Sequence, residues 1–371
     1  MKVYLYILFI AIGLAGCNSF ESEDEPNLVG SIPVLQIETN PDDYLSLLEN
    51  KTTDFEIPCN IIYKNNLYKG KIAAAGAGSR YHDKWGYKVV LEPNNFIEGL
   101  YKFNLSSQIY DKTSLSTAIA LKYYQKLGFP VHKLAYVFVK INGVDKGLYP
   151  LVERVEEQFF INRAISVNEL FKLGFETKFT FNNVYIPEYN LEKKIPDDNN
   201  YNSINLLINA LDTCNLSITT AGLNKFLDIN NYIKYHAFTT IINNQDAFTN
   251  NFFLIKQKPN EPFTVIPWDF DKAFIGDVGL YGENDIIAKL KGTEFTKQMY
   301  LNEITYQLNN VFNETELFNF IDSLAIVIKP AYNRDPFLGK NRYNFDVEIN
   351  NLKTYIINRR QNLLNKIISG N

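Results

Sequence analysis

Along the first half of the chain, apolar and polar side chains alternate in short runs, the period of a half-buried strand. Such runs occupy Ile32 to Glu38, Phe55 to Tyr63, Leu67 to Ala75, Tyr87 to Leu91 and Tyr101 to Leu105. Asn65-Asn66 supplies a turn signal between the second and third. From Ser114 to Lys126 the period becomes helical, with Leu115, Ile119, Leu121, Tyr123 and Tyr124 near one face, and Gly128 and Pro130 end it. Val131 to Ile141 and Lys146 to Val152 then flank Asn142-Gly143, a strong hairpin signal. The pattern predicts a mainly antiparallel sheet with one helix inserted before its last hairpin.

The second half reads differently. Tyr185 to Asn202 is polar and interrupted by proline, and predicts a loop or lid. Asp228 can cap a helix running through Ile229, Ile233, Ala237 and Ile241. Two short strands follow, Phe252 to Lys256 and Phe263 to Ile266, with Pro259-Asn260 in the turn. Leu301 to Val311, Leu317 to Ile328 and Val347 to Ile368 predict closing helices. The fold class expected is α+β, a sheet-rich first part before a mainly helical second part.

The N-terminus has a separate pattern. Lys2 precedes an apolar run of 12 residues, Val3 to Leu14. A membrane-spanning helix needs about 20 residues, so the run suits a signal peptide instead. It ends in Leu14-Ala15-Gly16-Cys17, which resembles a bacterial lipobox. On that resemblance residues 1–16 are a signal peptide and Cys17 is diacylated, which anchors the chain to a membrane. Residues 17–30 then form an acidic tether. Its run from Asn18 to Pro26 resembles the export signal of Bacteroidetes lipoproteins. The expected location is the outer membrane, exposed at the cell surface or otherwise facing the periplasm.

Composition narrows the classes. With 46% hydrophobic residues in 371, the chain has ample material for a core, and the length suggests two lobes. The net charge of −4 implies no broad cationic surface, so no nucleic-acid partner is expected. Three His and three Cys exclude a disulfide scaffold or a zinc module. Beyond Cys17, Cys59 and Cys214 either pair or remain thiols, the latter being the simpler reading.

Candidate chemistry gathers in Asn243 to Phe252 and Pro267 to Asp271. A polar cluster ends a helix, one strand leaves it, and the next strand returns to an acidic pair. A hairpin brings its ends together, so Asp246, Asn251 and Asp269 converge at one mouth. These hard oxygen donors suit Mg²⁺, with a carboxylate left over as a base. Asn and Asp also favour turns for local reasons, which is the plainer account of the same residues. The spacing resembles that of a protein kinase. Asp246 precedes Asn251 by five positions, as the catalytic Asp precedes the metal-binding Asn, and Asp269-Phe270 falls at the Asp-Phe-Gly position one hairpin later. Asp271 stands in place of the Gly, and Asn244-Gln245 in place of the usual His-Arg.

Further motifs extend the likeness. They are Ile32 to Ile37, Gly78-Ser79-Arg80 before Lys84 to Val89, Lys102 to Leu105, Ile141 through Gly147 to Glu153, Asn244 to Asp246, and Pro267 to Asp271. By these the chain resembles the CotH family of atypical kinases, over roughly residues 31 to 300. The resemblance implies a bilobal kinase-like fold over residues 31–371, with an N-lobe of about 31–153 and a C-lobe of about 154–371. It implies phosphoryl transfer from ATP to protein hydroxyls. Asp246 would be catalytic, while Asn251 and Asp269 would hold Mg²⁺; Asp271 either assists the metal or caps a turn. For pairing the phosphates, Lys102 has the kinase-like strand position, with Lys88 and Arg80 as alternatives. Glu153 and Arg154 either touch nucleotide or cap the following helix. The alternative is a non-catalytic surface lipoprotein for adhesion, glycan capture or scaffolding, for which 24 Tyr and 27 Phe offer stacking surfaces.

Overall fold

The computed structural model describes residues 28–369, apart from 77, 175–176, 178, 180–189 and 283. Cys17, the lipobox and the acidic tract lie outside the described residues, as do residues 185–189 of the expected loop. The described chain divides into two compact units. The first comprises residues 28–109, 133–154 and 326–343, and the second 110–132, 155–325 and 344–369.

The first unit is built on an eight-stranded sheet: β1 (Leu28–Val29), β2 (Ile32–Glu38), β3 (Glu56–Tyr63), β4 (Asn66–Ala75), β5 (Gly86–Leu91), β6 (Lys102–Leu105), β7 (Leu134–Ile141) and β8 (Val144–Glu153). The order is β1-β2-β3-β4-β5-β6-β8-β7, and β7 also pairs with β2. That last pairing is parallel, from Val34 opposite Phe138 to Ile37 opposite Ile141. It closes β2 to β8 into a barrel, which removes the exposed edges an open sheet would leave. Inside lie Leu35, Ile61, Ile72, Val89, Phe103, Val139 and Leu151.

Two hairpins use two-residue loops with left-handed backbone, as the twist of the strands requires. One is Asn142-Gly143, with φ 48° and 80°. The other is Lys64-Asn65, with φ 48° and 63°. It lies one residue before the predicted Asn65-Asn66 turn, because Asn66 already pairs with Tyr63. The helix α1 (Pro41–Glu49) was not legible as a helix. The Asn40 side chain accepts a hydrogen bond from Asp42 N at 2.8 Å, Pro41 starts the first turn, and Leu47 packs onto the barrel core.

Lys84 and Asp335 form a buried ion pair in this unit at 2.7 Å. Asp335 Oδ2 also accepts from Leu148 N at 2.8 Å, and Oδ1 accepts from Phe337 N at 2.7 Å. Lys84 Nζ donates a second bond to Leu148 O at 2.8 Å. Gly147 is required beside them: its φ is 102°, and a Cβ there would stand 2.1 Å from the Asp335 carboxylate.

The second unit contains α2 (Ser116–Lys126), α3 (Glu157–Ile161), β9 (Glu169–Leu173), β10 (Leu191–Ile195), α4 (Asn202–Thr213) and α5 (Ile229–Ile241). It continues with β11 (Phe252–Lys256), β12 (Thr264–Pro267), α6 (Asp285–Lys291), α7 (Glu294–Tyr306) and α9 (Phe345–Ser369). The helix α8 (Glu314–Arg334) begins in this unit, and its residues from Ile326 belong to the first. The four strands form an antiparallel sheet of order β10-β9-β11-β12. Leu191–Ile195, expected within a loop, is thus a strand: Leu191, Lys193 and Ile195 can turn inward, and it pairs with β9 from Leu191 opposite Leu173. Asp228 caps α5 as predicted, accepting from Asn231 N at 2.9 Å. This helix is buried on nearly every side, as suits the centre of a helical unit. Tyr124 of α2 packs on Phe238 and donates to or accepts from Thr239 Oγ1 at 2.7 Å. Cys59 and Cys214 are both free, and burial pushes the Cys59 thiol up to about 12. Among the described residues no helix is long and apolar enough to cross a membrane.

Candidate active site

The β11–β12 hairpin brings the predicted residues together within the second unit. Phe252 lies opposite Pro267 at its open end. One step further, Trp268 N donates to Asn251 O at 3.0 Å, so Asn251 and Asp269 leave the same end of the ladder. Asp246 stands in the single turn Gln245–Phe248, whose Ala247 carbonyl accepts the Tyr235 hydroxyl of α5 at 2.6 Å. Asn250 N donates to Asp246 O at 2.9 Å and turns the chain into β11.

Two of the three residues have unusual backbone. Asn251 has φ 51° and Asp269 φ 57°, the left-handed region that costs most side chains energy. Asn and Asp tolerate it best, and such conformations concentrate where a site fixes a side chain's direction.

Asn243 and Asn244 hold this arrangement. Both are buried. Asn244 Nδ2 donates to Asp269 O at 2.8 Å, while Asn243 Oδ1 accepts from Val278 N at 3.0 Å and its Nδ2 donates to Ile275 O. In sequence Asn244 stands with Gln245 in place of the usual His-Arg and Asn243 belongs to the polar cluster that ends the helix; their bonds to the Asp269 and Ile275 carbonyls are what the sequence did not show.

The acids repel one another. Asp269 is open to solvent, but the surrounding chain displaces much of its hydration and the Asp246 charge adds to this, so its carboxyl sits above the ordinary value. Lys172 and Lys272 offset part of the rise. The half-buried Asp271 is raised well above 3.8, first by lost hydration and then by Asp269. Asp111 contributes to that rise too, and lost hydration raises its own carboxyl. Yet Asp111 is occupied in the fold: it accepts from Thr113 N at 2.8 Å and Ser116 N at 2.7 Å, at the start of α2. Lys272 Nζ is 2.6 Å from Asp246 Oδ2, a contact the sequence did not suggest.

The donors suit a hard divalent cation. Among the described residues no group of three or more His, Cys, Asp or Glu could hold a metal by itself. Mg²⁺ is usually bound by one or two carboxylates with substrate phosphates completing the shell, so an acid–amide–acid set fits it.

The excess negative charge predicts a pH-dependent effect. A carboxyl raised on folding is destabilising once it ionises, so its cost appears as pH rises through the folded value and vanishes below the unfolded one. In the metal-free protein Asp271→Asn is expected to melt higher than wild type at neutral pH, with the gap closing on acidification. A gap that stays constant from about pH 8 to about pH 4, across the carboxylate range, would contradict it.

The nucleotide-binding candidates all lie in the first unit. Lys88 pairs with Asp54 at 2.7 Å, and Arg80 Nη2 shares that carboxylate at 3.5 Å. These two cations hold the Asp54 carboxyl below its usual value. Lys102 is level with Val90 on the neighbouring strand, on the same face as Lys88 and away from the barrel core. Glu153 is buried and accepts from Lys133 N at 2.9 Å. It lies level with Phe103, so its side chain leaves the other face.

The family the chain matches defines a kinase-like phosphotransferase, here with an α+β fold. The chain belongs to the CotH kinase protein family, which it matches over residues 72–363. It is 23% identical to the inner spore coat protein H of Bacillus subtilis, over 90% of this chain and 97% of that protein. A solved Shewanella oneidensis complex of HipA, HipB and operator DNA aligns with TM-score 0.39 and 12% identity, covering 90% of this chain and 73% of the matched one. The Helicobacter pylori proinflammatory kinase CtkA aligns with TM-score 0.36 and 12% identity, covering 90% and 96%.

Proposed function

We propose that this protein transfers the γ-phosphoryl group of ATP to a hydroxyl of an acceptor protein, using Mg²⁺. The observation that carries the reading is the convergence of Asp246, Asn251 and Asp269 at one end of a hairpin, with Asn251 and Asp269 both in left-handed backbone. In this reading the acceptor oxygen bonds to the γ-phosphorus as the bond to the bridging oxygen breaks. The hydroxyl proton passes to Asp246 and ADP leaves. Asn251 and Asp269 would hold the metal ion, with Asp271 beside them, and when bound it would supply neutralisation of the charge on the phosphates. Lys102 has the kinase-like strand position for pairing the phosphates, with Lys88 and Arg80, which share Asp54, as the alternatives. Glu153 is tied to the Lys133 backbone and is assigned a structural part.

The experiment is transfer of labelled γ-phosphate to the protein itself and to dephosphorylated casein. Wild type is expected to label, and Asp246→Asn to lose on the order of a thousandfold in turnover, within the range for removal of a general base. Equal labelling by the two would remove Asp246 from the mechanism. Absence of labelling and of nucleotide binding in wild type would leave the binding-module reading. We also propose attachment to the outer membrane through lipidated Cys17, motivated by Leu14 to Cys17 behind the apolar run. Cys17→Ser should lose incorporation of a fatty-acid analogue, and retained label would exclude the anchor.

A further inference from the structure

Lys272 is the residue that the phosphotransfer reading leaves without a part. It follows Asp271 in the turn Phe270–Ala273, three residues after Asp269, and reaches back to Asp246. Its Nζ lies 2.6 Å from Asp246 Oδ2 and 4.8 Å above the centre of the Tyr110 ring. About a third of each partner's side chain is accessible, 35% for Lys272 and 31% for Asp246. A surface pair of this kind contributes little to stability, typically about 0–1 kcal/mol. Here, however, the partner is the candidate base, and the lysine's backbone belongs to the turn that holds Asp271 and follows Asp269.

Resting on that reading, we propose that Lys272 is a positioning residue: it occupies Oδ2 of Asp246 and so directs Oδ1 toward the acceptor hydroxyl. Four consequences follow from the geometry. A free carboxylate rotates about its final bond and presents either oxygen; one held on a single side presents the other. The ammonium also sets a positive charge among Asp246, Asp269 and Asp271, reducing repulsion that would swing Asp246 away. Tyr110 restricts the lysine in turn through its ring face. Because Lys272 follows Asp269 by three residues, in the turn that Ala273 N closes on Phe270 O, the base is linked to the metal-bearing residue, 23 positions away in sequence from Asp246. Such registration is worth having where small misplacements of a reacting group cost large factors in rate.

The test is a double-mutant cycle. Lys272→Met and Lys272→Arg are each made in the wild-type chain and with Asp246→Asn. Turnover on dephosphorylated casein is measured with the Mg·ATP thermal shift and the melting point. Lys272→Met is expected to lower kcat roughly tenfold to a hundredfold, at or below the lower end of the range for removing an acid–base group itself, with KM for ATP little changed. Lys272→Arg should recover much of the loss, since it restores the cation although in a different fork. With Asp246→Asn present, Lys272→Met should cost nothing further, and all variants should keep the Mg·ATP shift. An equal loss in both backgrounds would overturn the proposal, because the lysine would then act independently of Asp246. So would a rise in turnover, which would make the ion pair a block, or loss of the nucleotide shift in Lys272→Met. Failure of the phosphotransfer reading itself is distinct: it appears in wild type, as no turnover and no shift.

Discussion

Asp269→Ala is expected to remove both Mg²⁺-dependent nucleotide binding and phosphoryl transfer, while the fold survives. The transfer step makes few covalent demands on the protein, so its rate depends on position and on neutralised charge. Asp269 is the carboxylate that leaves the hairpin beside Asn251, and its backbone is pinned by Asn244. Loss of a principal charge-stabilising group is worth roughly a thousandfold in rate. Because the side chain is open to solvent, its removal leaves no cavity. Alanine at φ 57° carries some strain, so Asp269→Asn is the companion variant; Asn tolerates that backbone and keeps the shape without the charge. Both should fail to bind Mg·ATP by calorimetry, and Asn251→Ala should bind more weakly than wild type. Undiminished binding by both Asp269 variants would take this residue out of the metal site.

Asp335→Ala is expected to give the largest loss of stability, about 3–5 kcal/mol, because it leaves the Lys84 ammonium buried without its counter-charge. The same change strands the Leu148 and Phe337 amides that the carboxylate accepts from. Urea denaturation of wild type and variant measures the difference. Removing both charges, as Lys84→Met with Asp335→Leu, should cost less than Asp335→Ala alone, since a buried pair replaced whole spares the unpaired ion. A loss under about 1 kcal/mol for Asp335→Ala, the scale of a surface pair, would show that the interior accommodates the lone charge.

The strands of the first unit were legible because each exposes one face, and alternation survives in their residues. Tyr87, Val89 and Leu91 point into the barrel while Lys88 does not. Closure of that barrel was not legible, since the parallel pairing of β2 with β7 joins residues about a hundred positions apart and leaves no local period. The strand Leu191–Ile195 was missed because its Glu and Lys residues mask the inward positions; Lys193 is buried and bonded to Asp198 at 2.6 Å. At the site, the offsets among Asp246, Asn251 and Asp269 were readable because a hairpin converts sequence distance into spatial return. Lys272 was not, as one lysine next to an acid has no distinguishing spacing, and the Lys84–Asp335 pair joins segments 251 positions apart.

The central claim is that Asp246, Asn251 and Asp269 form a Mg·nucleotide site, and the most direct measurement is the thermal shift of the full chain with ATP. With Mg²⁺ present, nucleotide at about a hundred times its Kd should add about 2.7 kcal/mol to the stability of wild type. The shift should disappear with a chelator and in Asp269→Asn, and persist in Asp246→Asn. A wild-type protein whose melting point is unmoved by saturating Mg·ATP, or moved equally in Asp269→Asn, would contradict the account.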